Sequence, residues 1–284
     1  MKKTVRRTIN VILILVLTAA TVLFIKSRYE SAVSRQQYEQ ALEIATGVSG
    51  ETSAQEEQPA ESGKQEEESS EVPEEKEEIK AEIPDDPFIK ELFAIDLEAL
   101  REENEDVIGW IVIPDTKLNY PLLQWTDNEF YLNHTWNQKF NPSGAIFMDY
   151  QNKADFSEFN TIIYGHNMME GFMFGSLHNY RSGSYAQQHP YVYIVNDEGV
   201  LRYDVFSAQF ANTDSVFYGL GIESDGKKEE FLRFAQDYSS FESDVKPGVE
   251  DKIVTLSTCS GGSYEKRWVV LGVLNEENSY KRPE

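Results

Sequence analysis

The sequence predicts a mainly β domain: an eight-stranded, closed or nearly closed barrel with N-terminal helices and one long helix late in the chain. The first observation is a set of strand-like runs, at Val107–Ile113, Leu118–Leu123, Ala145–Tyr150, Thr161–Tyr164, Tyr191–Val195, Leu201–Phe210, Ile253–Thr258 and Trp268–Leu274. The second is the turn signals between several runs, such as Pro114-Asp115 and Asn196-Asp197. The third is that only Lys227–Ser240 has clear helical character among the later runs. Many short strands with few long helices are typical of a barrel.

Ordered structure is expected to begin at Pro87, with one or two amphipathic helices ahead of the first strand. Apolar residues recur there at helical spacing among acidic ones, at Phe88, Ile89, Leu92, Phe93, Leu97 and Leu100. The folded domain is therefore predicted to span residues 87–284. Its length of about two hundred residues is enough to bury a substantial core.

The N-terminus has the features of a membrane anchor. Four basic residues precede the uncharged apolar run Val11–Ile25, which Lys26 and Arg28 close. This run is short for a span and typical of a signal-peptide core, but it approaches spanning length when residues 8–10 are included. Because the large residues Val22-Leu23-Phe24-Ile25 occupy the place of a small-residue cleavage site, an uncleaved signal anchor is favoured over a cleaved signal peptide. Residues 1–28 are thus predicted to hold a cytoplasmic basic tip and one transmembrane span, with the rest of the chain outside the cell membrane.

Residues 29–86 are predicted to connect this anchor to the domain. Tyr29–Ile44 has helical composition and is expected to continue the anchor as a stalk, whereas Gly47–Asp86 is rich in Glu, Ser, Gln and Pro. Such a composition cannot bury enough apolar area to offset the entropy of ordering, so a disordered acidic linker is expected. The formal net charge of −23 argues against nucleic-acid binding, although much of it lies in this linker.

The chain's single cysteine lies in the stretch Lys252–Leu274, which is organised as two β-rich runs joined by a Gly-containing loop. If the two runs pair as a hairpin, Cys259 and Arg267 face each other across its open end. One cysteine cannot form an intrachain disulfide, and it excludes a cysteine-rich zinc site. A free thiol outside the cell is open to oxidation, so it indicates either catalysis or burial as a small apolar residue. Both interpretations remain open at this point.

Among the four histidines, His166 is the one that can reach a groove, although its spacing alone favours a structural over a catalytic role. It follows the strand-like run Thr161–Tyr164 and the small residue Gly165. His134 and His178 have the character of helix or loop residues, and His189, before Pro190, is expected to enter a strand. Arg267 opens the last strand, where it is either a solvent-exposed charge or a planar donor aimed at a carbonyl or oxyanion.

Several ordered motifs together resemble the class B sortases. Thr255-Leu256-Ser257-Thr258-Cys259 is similar to their TLxTC signature, and Asn160–His166 is similar to the strand that leads to their catalytic histidine. Lys266-Arg267, followed by Val269-Val270, is similar to their arginine-bearing strand. Gly109–Ile111, Asn119–Pro121 and Gly144–Tyr150 match further segments, so that the resemblance runs from about Phe88 to the C-terminus. The separation of Cys259 and Arg267, eight residues, is shorter than in some members.

The resemblance implies a sortase-type barrel and a cysteine transpeptidase at the outer face of a Gram-positive membrane. Cys259 would attack the carbonyl after threonine in the C-terminal sorting signal of a surface protein and form a thioacyl-enzyme. His166 would protonate the leaving amine and then deprotonate the amine of a lipid-linked peptidoglycan precursor, while Arg267 would hold the substrate carbonyl or oxyanion. The long helix would be the one that class B members insert before the cysteine-bearing strand.

The resemblance also implies a groove for the sorting peptide, along Asn119, Leu123, Tyr164, Ser257 and Thr258. No cofactor is expected, and no metal, since the strands carry no compact carboxylate cluster. A pilin-polymerising sortase is the alternative within the family. Outside it, a papain-like hydrolase would place the cysteine at a helix N-terminus and the histidine after it, opposite to the order here. A membrane-anchored binding domain without catalysis is the other alternative.

Overall fold

The computed structural model describes residues 2–47, 84–259 and 266–282, and it contains the eight-stranded barrel that the sequence predicts. The strands are β1 Val107–Val112, β2 Asn119–Leu123, β3 Ile146–Met148, β4 Asn160–Tyr164, β5 Tyr191–Val195, β6 Gly199–Asn212, β7 Ile253–Cys259, β8 Lys266–Leu274 and the two-residue β9 Tyr280–Lys281. They are hydrogen-bonded in the order β5-β1-β2-β3-β4-β7-β8-β6-β9, and β5 also pairs with β6. This last pairing closes eight strands into a barrel and leaves β9 as a short addition on β6.

Two parallel pairings within the described strands, β2–β3 and β4–β7, bring the ends of distant segments to one edge of the barrel. In the β4–β7 ladder, Tyr164 lies opposite Ser257. Neighbouring parallel strands end at the same edge of a sheet. His166, which follows the end of β4, therefore lies near Cys259, which ends β7. The two residues are 93 positions apart in sequence, and only this ladder makes them neighbours.

The α-helices are α1 Lys2–Thr46, α2 Pro87–Phe93, α3 Leu97–Glu103, α4 Gly183–Gln188 and α5 Asp225–Asp237. Asp86 caps α2 by accepting from the amides of Phe88 and Ile89, with Pro87 at the first helical position. The long helix α5 ends three residues earlier than the sequence pattern indicates. The reason is tertiary: the Ser240 amide donates to the Ala208 carbonyl of β6, which draws that part of the chain out of the helix.

The apolar residues form two cores on opposite sides of the barrel wall. The alternation along β7 divides them, because Val254 and Leu256 face the large interior core and Ile253 faces a smaller one beneath α5. The smaller core also contains Phe231 and Leu232 of α5. The cysteine strand is therefore buried on both faces, and the long helix covers its outer face.

Helix α1 is one continuous helix with two different halves. Its apolar half, including Val11–Ile25, is fully exposed, and its length and hydropathy meet the requirement for a membrane span, as those of a signal sequence also do. The second half was expected to continue the anchor as a helical stalk. It is helical, and it also packs on the domain: Ser34, Tyr38, Ala41 and Ala45 are buried, and the Ala45 carbonyl accepts from the Asp96 amide at 2.8 Å. Most of the acidic linker predicted at Gly47–Asp86 lies outside the described residues.

Candidate active site

The candidate nucleophile Cys259 is an exposed residue at the end of β7, and His166 is its hydrogen-bonded neighbour. The hydrogen bond from His166 lowers the pKa of the Cys259 thiol, and the positive charge of Arg267 lowers it further, against the opposing effect of burial. The same hydrogen bond raises the pKa of His166, against its partial burial. Both shifts favour a thiolate paired with an imidazolium, which is the reactive form of a cysteine nucleophile.

The orientation of His166 is determined by its second nitrogen. Its Nε2 lies 2.6 Å from the carbonyl oxygen of Leu132, to which it donates. That bond leaves Nδ1 as the nitrogen that exchanges a proton with the thiol. Gly165 is required beside it, because a Cβ there would lie 2.7 Å from the ring of Phe174. The glycine therefore makes room for an aromatic ring under the histidine loop.

Arg267 occupies the position that the hairpin prediction assigns to it. In the β7–β8 ladder it lies directly opposite Cys259, and both residues line one cavity. Its Nη1 donates to the Lys266 carbonyl at 3.3 Å. The guanidinium is charged at any physiological pH, so it can bind a carbonyl or oxyanion at this place without titrating. The loop between the two strands, residues 260–265, lies outside the described residues.

The cavity at this edge has a volume of about 220 Å³. It is lined by His166, Cys259 and Arg267 together with Asn128, Leu132, Ala145, Phe147, Tyr164, Gly165, Ser257 and Thr258. Three of the predicted peptide-binding residues, Tyr164, Ser257 and Thr258, are thus brought to the candidate nucleophile. The Thr258 hydroxyl is buried and has no hydrogen-bond partner among the residues that the structure describes.

Asn119 and Leu123, the other two predicted peptide-binding residues, are not among those that line the cavity. Leu123 is fully buried in the barrel core, and Asn119 lies four residues away along β2, where its side chain accepts from the indole of Trp110. The cavity wall contains Asn128 and Leu132 instead, which are the same two residue types at the same spacing. No strand pattern marks this segment, so only the fold could distinguish the two Asn-Leu pairs.

Two more side chains near the site have roles that the sequence did not indicate. The hydroxyl of Tyr218 lies 2.7 Å from that of Ser257, two residues before Cys259. His178 lies with Nε2 at 3.0 Å from the Cys259 carbonyl, and Arg181 contacts its Nδ1 at 3.0 Å. Because the arginine can only donate to Nδ1, the proton of His178 lies on Nε2, and the ring holds the last carbonyl of β7.

Among the residues that the structure describes, no group of three or more His, Cys, Asp or Glu side chains is arranged to hold a metal ion. The groups that the cavity itself offers are the thiol, the imidazole, the guanidinium and neutral hydrogen-bonding groups. These are sufficient for acyl transfer, in which a thiolate attacks a carbonyl and a neighbouring acid–base group moves the protons.

The thiol–imidazole pair predicts the pH dependence of alkylation. The rate at which iodoacetamide alkylates a cysteine rises with pH, and its midpoint is near pH 8.5 for an ordinary cysteine. Because the pKa of the Cys259 thiol is lowered, its alkylation midpoint should lie at a lower pH than that. In His166→Gln the largest cause of the lowering is removed, so the midpoint should move to higher pH. The measurement is the alkylation rate between pH 5 and 10, followed by mass spectrometry. An identical midpoint in both proteins would mean that His166 does not act on the thiol.

A closed β-barrel with a thiol, an imidazole and a guanidinium at one edge defines a cysteine-dependent acyl-transfer enzyme. The family model described as the Sortase domain matches residues 111–275, more than half of the chain. The chain is 37% identical to Sortase B of Listeria monocytogenes, over 63% of this chain and 74% of the relative, and 36% identical to Sortase B of Staphylococcus aureus, over 62% and 73%. The chain belongs to the sortase family, in class B, and is a cysteine transpeptidase.

The solved structures agree with this. The crystal structure of Staphylococcus aureus Sortase B superposes with a TM-score of 0.60 at 36% identity, over 63% of this chain and 85% of that chain. A Staphylococcus aureus sortase B–substrate complex and a Sortase B complex with triglycine match with the same TM-score, each at 35% identity over 63% of this chain and 84% of theirs. The fold class predicted from the sequence, a sortase-type barrel with N-terminal helices, is confirmed.

Proposed function

We propose that this sortase cleaves the C-terminal sorting signal of surface proteins after threonine and joins the new carboxyl end to an amine of a peptidoglycan precursor. The observation that carries the proposal is the hydrogen-bonded pair of Cys259 and His166 opposite Arg267, in a cavity that is also lined by neutral hydrogen-bonding groups. The substrate and triglycine complexes of the relatives support a peptide donor and an amine acceptor.

The first half of the proposed reaction forms a thioester. The Cys259 thiolate attacks the carbonyl carbon of threonine itself, and the negative charge that develops on the oxygen is stabilised by the guanidinium of Arg267. When the intermediate collapses, the C–N bond breaks and the leaving amine takes the proton of the His166 imidazolium. The products are a neutral imidazole, a thioacyl-enzyme and the released tail of the sorting signal.

The second half transfers the acyl group. The neutral His166 removes a proton from the incoming amine as its nitrogen attacks the thioester carbon. A new amide bond forms, the C–S bond breaks, and Cys259 leaves as a thiolate beside the restored imidazolium. Tyr164, Ser257 and Thr258, with Asn128 and Leu132, are proposed to bind the sorting peptide, because they form the wall of the same cavity.

The proposed location follows from the exposed apolar half of α1. Residues 1–28 are proposed to form a single-pass anchor with the basic N-terminus in the cytoplasm and the catalytic domain outside. Substrate proteins and a lipid-linked acceptor both arrive at that surface. Residues 29–86 would link the anchor to the catalytic domain at 87–284, although part of this link is itself packed on the barrel, as described above.

The test is a screen of sorting-signal peptides with triglycine as the acceptor, with the products identified by mass spectrometry. We expect cleavage after threonine and a product extended by triglycine, and cleavage to fall in Cys259→Ala. A free carboxylate as the only product in excess triglycine would indicate a hydrolase and contradict the proposal. Replacing triglycine by a lysine-containing pilin peptide tests the pilin-polymerising alternative: preferred transfer to lysine would favour it over peptidoglycan attachment.

A further inference from the structure

The docked half of α1 contacts the same segment that holds His166. This segment, residues 130–145, is called here the histidine-support segment. Four hydrogen bonds join it to α1: Tyr38 Oη to Gly144 O at 2.7 Å, Ser34 Oγ to Ser143 Oγ at 2.5 Å, Asn141 Nδ2 to Glu30 O at 2.9 Å, and Trp136 Nε1 to Gln37 O at 2.8 Å. Two of the α1 members, Ser34 and Tyr38, are buried and lie about one helical turn apart.

The histidine-support segment in turn touches His166 at two points. The Leu132 carbonyl accepts from its Nε2 at 2.6 Å. Gly144 lies against its ring, since a Cβ on Gly144 would be 3.0 Å from the histidine Cδ2. Gly144 has a positive φ of 59°, and its Cβ would also meet the carbonyl oxygens of Tyr131 and Leu132 at 2.5 and 2.8 Å. Gly144 therefore packs against both the imidazole and the Leu132 carbonyl that accepts from it.

A second contact reaches the loop on the other side of His166. Glu170, four residues after the histidine, forms ion pairs with Arg28 at 3.4 Å and with Arg35 at 2.6 Å. Its backbone carbonyl accepts from Lys117 at 2.9 Å. These pairs are exposed and contribute little energy individually. They nevertheless show that α1 bridges the segment before His166 and the loop after it.

We propose that Tyr38 is a positioning residue for His166, and that the docked half of α1 is part of the active-site scaffold as well as a link to the anchor. The ring of Tyr38 is buried between Tyr120 and Phe172, with ring centroids at 5.1 and 5.8 Å. Its hydroxyl is the part that donates to the Gly144 carbonyl. The proposal rests on the role of His166 given above and adds the residue that orients it.

The docking of α1 also bears on the role of the acidic tract between α1 and α2. Helix α1 ends at Thr46 and helix α2 begins at Pro87, and both helices pack on the domain. The Ala45 carbonyl accepts from the Asp96 amide, so the end of α1 lies against the connection between α2 and α3. Residues 48–83 thus connect two points of the same domain, and their length does not determine how far the active site lies from the anchor.

The effect on the imidazole has a definite sign. The groups that act on the charge of His166 are the Cys259 thiol, the Leu132 carbonyl and Arg267; the carbonyl and the thiol favour the imidazolium, and the arginine opposes it. Loosening the carbonyl contact lowers the pKa of the imidazole and weakens its bond to the thiol. The thiol pKa then rises, so the alkylation midpoint of Cys259 moves to higher pH.

The experiment compares Tyr38→Phe with Tyr29→Phe in the full chain in detergent micelles. Both variants remove one hydroxyl from α1, but Tyr29 is 69% exposed. In Tyr38→Phe we expect kcat for sorting-peptide cleavage to fall about tenfold, as for a slightly misplaced catalytic group, with KM nearly unchanged and a raised alkylation midpoint. Tyr29→Phe should match the wild type in all three.

An unchanged kcat and alkylation midpoint in Tyr38→Phe would overturn the proposal, whatever the thermal stability. A lower kcat with an unchanged midpoint would also overturn it, because that result indicates a general structural role. If Tyr38→Phe fails to fold, Ser34→Ala tests the neighbouring contact with the same measurements, and the same two outcomes would contradict the proposal. The alkylation midpoint needs no peptide, so failure of the sorting reaction in the wild type is distinguishable from failure of this inference.

Discussion

Cleavage of sorting peptides is expected to disappear in Cys259→Ala, with a loss of about 10⁴-fold or more, because no other nucleophile can form the thioester. The chain contains only this cysteine, and its thiol is the side chain to which His166 is hydrogen-bonded. The measurement is peptide turnover by mass spectrometry under conditions in which the wild type completes many turnovers.

The control for this variant is its folding. Cys259 is exposed, so alanine should change the free energy of unfolding by no more than about 0.5 kcal/mol. Thermal unfolding and circular dichroism of both proteins check this. Residual cleavage at a tenth of the wild-type rate in a folded Cys259→Ala protein would contradict the assignment of the nucleophile.

Arg267→Lys is expected to lower kcat about 10²–10³-fold although the charge is retained, as for removal of an oxyanion-binding donor. The guanidinium is a planar fork that can donate two hydrogen bonds in fixed directions, whereas the lysine ammonium is a point charge on a flexible stem. Arg267 lies opposite Cys259 on β8, where such a fork can be directed at the oxygen of the carbonyl that the thiolate attacks. Steady-state kinetics with the best peptide from the screen provide the measurement.

Lys266→Ala is the matched control for Arg267→Lys, because it removes the neighbouring exposed charge on the same strand. It should retain kcat within about twofold, since an exposed charge at a strand end makes a small contribution. If Arg267→Lys and Lys266→Ala behave alike, Arg267 acts only through its charge, and its proposed contact with the oxyanion is wrong.

The barrel could be predicted because its strands carry local signals. Turn residues separate several of the strand-like runs, and alternate residues of β7 pack into the two different cores. The strand ends were less accurate: β8 begins at Lys266 and β6 continues to Asn212, since cross-strand hydrogen bonds extend both strands beyond their apolar residues. The same kind of tertiary bond shortens α5.

The candidate site was predictable where it depends on neighbouring strands in a hairpin, and not where it depends on loops. Cys259 and Arg267 face each other as the register of β7 and β8 requires. Asn128 and Leu132 line the cavity from a segment without regular periodicity, and nothing in their local sequence indicates that they reach the site. The role of His178 was likewise not predictable, because its contact with the Cys259 carbonyl joins two residues that are 81 positions apart in the sequence.

By itself, the sequence determined the barrel, the exposed apolar helix at the N-terminus and the three residue types of the candidate site, because short-range periodicity and motif spacing encode them. Only the tertiary structure decided that α1 docks on the histidine-support segment. The sequence after Tyr29 predicts a helix but does not indicate what the helix packs on. Its buried contacts combine apolar packing by Tyr38, Ala41 and Ala45 with hydrogen bonds between Ser34 and Ser143 and from Tyr38 to the carbonyl of Gly144. Hydrogen bonds between distant segments leave no periodic trace in the chain, since each partner becomes recognisable only when the fold brings the other to it.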